Sequence, residues 1–225
     1  MLVVGFPAGA FKANCYLLAR SDGGECVIVD PGQDAAVHIE ESLREHRLVP
    51  RAVLATHGHF DHIQSAAAVA DEHRLPVWIH SADRALLSDP LAGLGPRLAA
   101  ALGPLTLDEP RRVEALDDLA GGSVELAGMR IEVDHTPGHT PGSVVFRLAT
   151  AEGGTLALTG DTLFAGSVGR TDLPGGDAAT LGASLRTALL SLPDDTVVLP
   201  GHGPTTTIGE ERLSNPFLAS AVAHG

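Results

Sequence analysis

A chain of 225 residues is long enough to bury a large core and falls within the size of one domain, so residues 1–225 are read as a single unit. With 44% hydrophobic and 19% charged residues, the composition is that of an ordinary globular protein, neither disordered nor fibrous. A formal net charge of −13 disfavours nucleic acid and anionic membrane surfaces as partners, since both are held chiefly by Lys and Arg.

The opening MLVVGFPAGA lacks the basic and long apolar regions of a signal peptide, and no apolar run approaches the ~20 residues of a membrane span. A soluble cytoplasmic protein is expected, as a monomer or homodimer. Apolar runs at 2–6, 15–19 and 26–30, separated by Pro/Gly and Asp-Gly-Gly turn signals, predict three meandering strands. Cys15 and Cys26 lie in these runs with no CxxC pair, which reads as two buried thiols in a reducing compartment. Asp34 is placed as the cap of a helix running to about His46. A strand at 52–56, a loop at 57–62, an Ala-rich helix at 63–72, a strand at 77–80 and a helix at 82–87 follow. Residues 88–110, rich in Pro and Gly, read as a flap or short helices. Runs at 123–126, 129–133, 144–148, 156–159 and 197–199 predict a second sheet, interrupted by a helix at 178–192. The alternation implies sheets covered by helices, with two similar halves facing each other.

Chemistry concentrates in motifs that leave apolar strands. THGHFDH supplies His57, His59, Asp61 and His62, and a strand end is a rigid platform from which a loop can turn several side chains toward one point. Neutral imidazoles and carboxylates are Zn²⁺-type ligands. Four such groups within six positions crowd a single tetrahedral ion and divide naturally between two. His139 in HTPGHTPGS, Asp161 ending LALTGD and His202 ending VVLPGH also stand just past apolar strands. Seven ligands from four strand ends can therefore converge on one edge of the sheets. His38, His46, His73, His80 and His224 have no ligand partner nearby in the sequence, while His135 is a candidate to hydrogen-bond within the HTPGH loop. Ser143 fits a turn cap, and with GxSxG absent no serine nucleophile is expected.

Taken in order, THGHFDH, HTPGHTPGS, LTGDTLF and LPGHGPTT resemble the metallo-β-lactamase superfamily over almost the whole chain. The resemblance implies an α+β fold, the αββα sandwich of two mixed β-sheets flanked by helices, with metals in the groove between the sheet edges. Within the superfamily, GDTLFAGSVGRTDLPGG and GHGPTTTIGEERLSNPF are similar to short single-domain relatives of glyoxalase II. On that likeness His57, His59 and His139 hold a first divalent metal, Asp61, His62 and His202 a second, and Asp161 bridges both. Zinc is the expected metal, with iron or manganese as alternatives. Asp61 and Asp161 would then serve the catalytic water, which two ions make nucleophilic at neutral pH. The substrate implied is a small thioester such as S-lactoylglutathione, or an ester of another low-molecular-weight thiol.

Arg170 follows Asp161 by nine positions across the small, flexible AGSVG stretch. The resemblance to glyoxalase II implies that it meets the substrate's thiol moiety and grips a carboxylate. The alternative is a surface arginine paired with Asp172 or Asp177. Two departures bear on the substrate: about 20 residues follow the His202 loop where glyoxalase II has a helical extension, and Pro204 stands where that enzyme has an aromatic residue. GRTD also resembles the persulfide dioxygenase branch, which would place one Fe(II) on His57, His139 and Asp161. A metal-binding module without turnover is the alternative from another class.

Overall fold

Period-two alternation in the strands decides how this chain layers. In the computed structural model, which describes residues 1–119, 122–151 and 153–218, neighbouring strand residues point into different cores. Leu17 and Ile28 pack under helices on one side, whereas Leu18, Val27 and Val29 face a second sheet on the other. Val145 and Ala157 likewise lie under helices, while Phe146 and Leu158 face inward. Every residue of the second strand is buried, as expected for a strand covered on both faces.

The first sheet has the order β1 (Leu2–Ala8), β2 (Ala13–Ala19), β3 (Glu25–Val29), β4 (Val49–Leu54), β5 (Val77–Ile79) and β6 (Val113–Ala115). Its first pairings are antiparallel hairpins; from β3 onward the pairings are parallel, with α1 (Ala35–Glu45) in the crossover from β3 to β4 and α3 (Ala66–His73) in that from β4 to β5. The second sheet contains β7 (Ser123–Leu126), β8 (Met129–His135), β9 (Val144–Ala149), β10 (Thr155–Gly160), β11 (Val197–Pro200) and β12 (Thr206–Thr207), paired antiparallel except β10 with β11. Its outer face is covered by α5 (Ala178–Ser184), which widens into a π turn at Leu185–Leu189, and by α6 (Ile208–Ser214). Helix, sheet, sheet, helix is the αββα sandwich, with both sheets mixed. Among the described residues, no helix is long and apolar enough to cross a membrane.

The strands read from the sequence are present within a few residues of their expected ends. The expected loop at 57–62 contains one helical turn, α2 (Phe60–Ile63), and residues 88–110 hold a 3-10 turn at Pro90–Gly93 and the helix α4 (Pro96–Leu102). The helix expected at 82–87 is a 3-10 helix, Ser81–Leu87. Asp34 does not cap α1: it sits in the left-handed region at φ 58° with no side-chain cap bond. Three elements were not read from the sequence, namely β6, β12 and α6. Both cysteines are free and buried in the core between β2, β3 and the helices. Burial pushes both thiols up, Cys26 to about 12, so neither is a thiolate nucleophile.

Candidate metal centre

Four strand ends bring the ligand candidates together. β4 runs into THGHFDH, β8 into the HTPGH loop, β10 ends one residue before Asp161 and β11 two residues before His202. The His202 loop is tied to the opposite sheet: Asn14 Nδ2 donates to Pro200 O and Gly203 O, both at 3.0 Å, and the Tyr16 hydroxyl donates to Pro200 O at 2.8 Å. Gly201 is required there, because a Cβ would overlap Asp161 Oδ1.

All seven expected ligands meet. His57, His59 and His139 form one group and Asp61, His62 and His202 another, the ligand atoms of each lying within 4.8 Å of one another. Asp161 stands between the groups, with Oδ1 3.3 Å from His62 Nε2 and Oδ2 3.4 Å from His139 Nε2 and 3.6 Å from His202 Nε2. Asp30 also lies close to His57 and His62, but its carboxylate is already used. It accepts from Thr56 N at 2.7 Å, Thr56 Oγ1 at 2.6 Å and His62 Nδ1 at 3.0 Å, which makes it an orienting group rather than a ligand.

The hydrogen bonds around the rings fix their tautomers. His62 Nδ1–H faces Asp30, and His139 Nδ1–H donates to the Arg170 carbonyl at 2.7 Å. Thr56 Oγ1 gives its proton to Asp30, so at 3.1 Å it accepts from His57 Nδ1–H. Each of these rings therefore turns an Nε2 lone pair inward. His57 Nε2 and Asp161 Oδ1 are buried without a hydrogen-bond partner, and His59 Nδ1 lies 2.8 Å from His139 Nε2. Converging lone pairs and an unpartnered buried carboxylate oxygen cost free energy unless a cation lies among them, so this donor set fits metal ions.

Electrostatics divides the two groups. Burial and the neighbouring imidazoles push His57 and His59 well below the usual histidine range, keeping them neutral donors. Burial would lower His62 and His202 too, but Asp161, Asp61 and, for His62, Asp30 lift both above that range. Burial works to raise the Asp161 carboxyl, and the facing His62, His139 and His202 outweigh it and hold it low. One group is thus all imidazole, the other mixes imidazole with carboxylate.

Arg170 borders the cavity over these ligands, but its guanidinium is exposed and doubly bonded to Asp172, Nε–Oδ1 and Nη2–Oδ2 each at 2.7 Å. The surface pairing weighed for it is thus the arrangement present. Ser143 caps its turn as expected, accepting from Thr140 N at 3.1 Å. His135 bonds within its loop, to Pro141 O at 2.8 Å, and stacks on His80; His38, His46 and His73 pair with carboxylates on the surface, and His224 lies outside the described residues. Asp30 and Asp83 were missed. Asp83, fully buried, accepts from Gly58 N, Gly142 N and Thr140 Oγ1 at 2.7–2.8 Å, and so staples the loops of His57–His62 and His139 together.

The profile of the Metallo-beta-lactamase superfamily matches residues 8–202, and the chain belongs to that superfamily. It is a metal-dependent hydrolase of the metallo-β-lactamase fold. It is 51% identical over 220 residues to a Mycobacterium tuberculosis protein whose name states no activity, covering 97% of this chain and 98% of that one. It is 38% identical to the hydroxyacylglutathione hydrolase GloC of Haemophilus influenzae, over 95% of this chain and 96% of the relative. Two crystal structures, each 39% identical, share its fold. The B3 metallo-beta-lactamase BLEG-1 has a TM-score of 0.83 over 96% of this chain and 99% of its own. A protein solved in a di-iron-bound form has a TM-score of 0.75 over 97% and 100%.

Proposed function

We propose that this chain hydrolyses small thioesters at a dinuclear centre, with zinc in the group of His57, His59 and His139 and in the group of Asp61, His62 and His202. The observation that carries the reading is Asp161, whose two oxygens between them reach imidazoles of both groups: Oδ2 lies 3.4 Å from His139 Nε2 and 3.6 Å from His202 Nε2, and Oδ1 3.3 Å from His62 Nε2. When bound, metal ions would supply a water made acidic enough to ionise near neutral pH and a Lewis acid for the acyl oxygen. The chain supplies the rest. Asp61 and Asp161 border the cavity and orient the water's protons, the Nδ1 bonds to Asp30, Thr56 and Arg170 O hold the rings still, and Phe11, Phe60 and Phe164 limit access of bulk water. No side-chain nucleophile is needed, in keeping with the capped Ser143 and the two buried, neutral thiols.

S-lactoylglutathione is the first substrate to test, given the Haemophilus relative. Metal-analysed protein should release free thiol from it at a rate that falls on chelation and returns with zinc. A second reading, β-lactam hydrolysis, is favoured by the likeness to BLEG-1 and belongs in the same panel as a chromogenic cephalosporin. Iron in place of zinc is favoured by the di-iron neighbour. Oxygen uptake with glutathione persulfide by protein holding a single iron would move the assignment to a dioxygenase.

A further inference from the structure

The cavity over the candidate ligands has a volume of about 330 Å³, and its walls differ sharply from its floor. His59, Asp61, His139, Asp161 and His202 form the floor, while the walls are Phe11, Phe60, Leu94, Leu98, Phe164 and Leu173. These come from four separate segments. Phe11, in the turn between β1 and β2, meets Phe60 edge-on with ring centroids 6.4 Å apart. Phe164 stands edge-on to His202 at 5.9 Å. Leu94 and Leu98 belong to the helical stretch at 90–102, and across the opening Leu173 faces Gly95, where a Cβ would stand 3.8 Å from its Cδ2. Apolar side chains therefore surround the space in which the part of the substrate next to the scissile bond must lie.

Charged partners are scarce there. Among the described lining residues Arg170 is the one Lys or Arg, and Asp172 already takes both of its forked donors. The carboxylates are Asp61 and Asp161, each committed to the ligand groups. A γ-glutamyl tripeptide thiol carries two carboxylates and an ammonium. Against these walls each would lose hydration without gaining a partner, a heavy cost for a buried ion.

From this we infer that the preferred substrates are thioesters with an apolar group of several carbons next to the scissile bond, lodged against Leu94, Leu98 and Leu173, and that S-lactoylglutathione is a poorer substrate. This rests on the thioesterase reading and narrows it. Burial of one methylene is worth about a fourfold gain in binding or in kcat/KM, so a short homologous series has ample range to reveal it.

The test is a two-way panel on zinc-loaded protein. Acetyl, butyryl and hexanoyl esters of glutathione and of N-acetylcysteamine vary the acyl side, and acetyl esters of ethyl and hexyl thiol vary the other. We expect kcat/KM to climb at least tenfold along one of the two series, which identifies the side that occupies the cavity, and to exceed that for S-lactoylglutathione. Leu98→Asn should shrink the ratio of longest to shortest ester at least fivefold. Independently of turnover, S-hexylglutathione should bind at least tenfold tighter than S-methylglutathione by calorimetry. Flat series together with best turnover of S-lactoylglutathione would overturn the inference and leave the thioesterase reading standing. Absence of turnover with every ester would overturn that reading, and equal binding of the two glutathione ligands would remove the apolar preference as well.

Discussion

His139 donates its Nδ1–H to the backbone carbonyl of Arg170 at 2.7 Å, so the residue expected to hold substrate with its side chain steadies a candidate metal ligand with its main chain. The two roles separate by mutation. Arg170→Ala keeps the carbonyl and loses only the exposed pair with Asp172, and exposed pairs contribute little. Its kcat/KM should change less than about threefold with neutral thioesters and less than tenfold with carboxylate-bearing ones, the latter because binding a carboxylate would first require breaking the Asp172 pair. At Gly169 the outcome is the opposite, since a Cβ would overlap the Asp161 carbonyl oxygen and stand 2.9 Å from His139 Nδ1. Gly169→Ala must displace the segment that carries the acceptor, and activity should fall about 10–100-fold, the usual effect of losing a partner behind a metal ligand. Steady-state kinetics on both variants checks this. A large loss in Arg170→Ala on carboxylate substrates alone would restore the clamp.

Asp30 supports the second ligand group directly, through His62 Nδ1, and the first only through Thr56. Asp30→Asn keeps the volume but removes the charge that orients His62. Second-site metal affinity should drop about 10–100-fold, with a smaller effect on the first site. Competition against a chromophoric chelator resolves the two steps, and equal weakening of both would count against the separate roles.

Asp83 bonds to the loops that carry the candidate ligands rather than to the ligand side chains, and its loss should show in stability. Asp83→Ala leaves the amides of Gly58 and Gly142 and the Thr140 hydroxyl without their buried acceptor. At about 1–3 kcal/mol for each buried unsatisfied group, the cost is at least about 3 kcal/mol, or a fall in Tm of about 6–12 °C for a chain of this size. Metal-free and metal-loaded protein should both show it. A metal-free Tm equal to that of the wild type would mean that Asp83 acts only through the ligands.

The convergence of the seven candidate ligands was legible because each is a His or Asp placed just past an apolar strand, in motifs whose glycines and prolines announce tight loops. Asp83 carried no such signal. It sits in an ordinary helix-like run, and its partners lie 25–59 residues away and are mostly backbone amides, which any residue type offers. Asp30 ends a strand as Asp161 does, and only the fold shows that one carboxylate faces Thr56 and His62 from behind while the other faces the cavity. Of the missed elements, α6 had a readable start. Thr207 and Glu210 have the spacing of a capping box, and Thr207 does accept from Glu210 N at 3.2 Å. β6 and β12 are three and two residues long, too short to show a period. The expected Asp34 cap failed because the chain needs a left-handed residue there, and an aspartate tolerates that conformation without capping.

Metal content and Asp161 give the strongest test of the centre. The wild-type chain should bind close to two ions, since each group offers at least three donors within 4.8 Å and Asp161 adds a carboxylate to both. If metal is present at about a thousand times its Kd, binding stabilises the fold by about 4 kcal/mol per site. Complete chelation should therefore lower Tm by roughly 8–16 °C if one site dominates, and by more if both contribute. His62→Ala removes one donor from the second group and leaves His57, His59 and His139 intact, so about one ion per chain should remain. Asp161→Ala removes the shared donor, so both affinities should weaken together. At saturating metal it should cost at least tenfold more activity than His62→Ala, because it removes the carboxylate that faces both groups, whereas His62→Ala leaves the first group whole. Elemental analysis, thermal melts and kinetics on the two variants decide the matter. Equal, mild losses would show that Asp161 serves a single site, and one firmly held iron with no second ion in the wild type would replace the dinuclear hydrolase by a mononuclear enzyme.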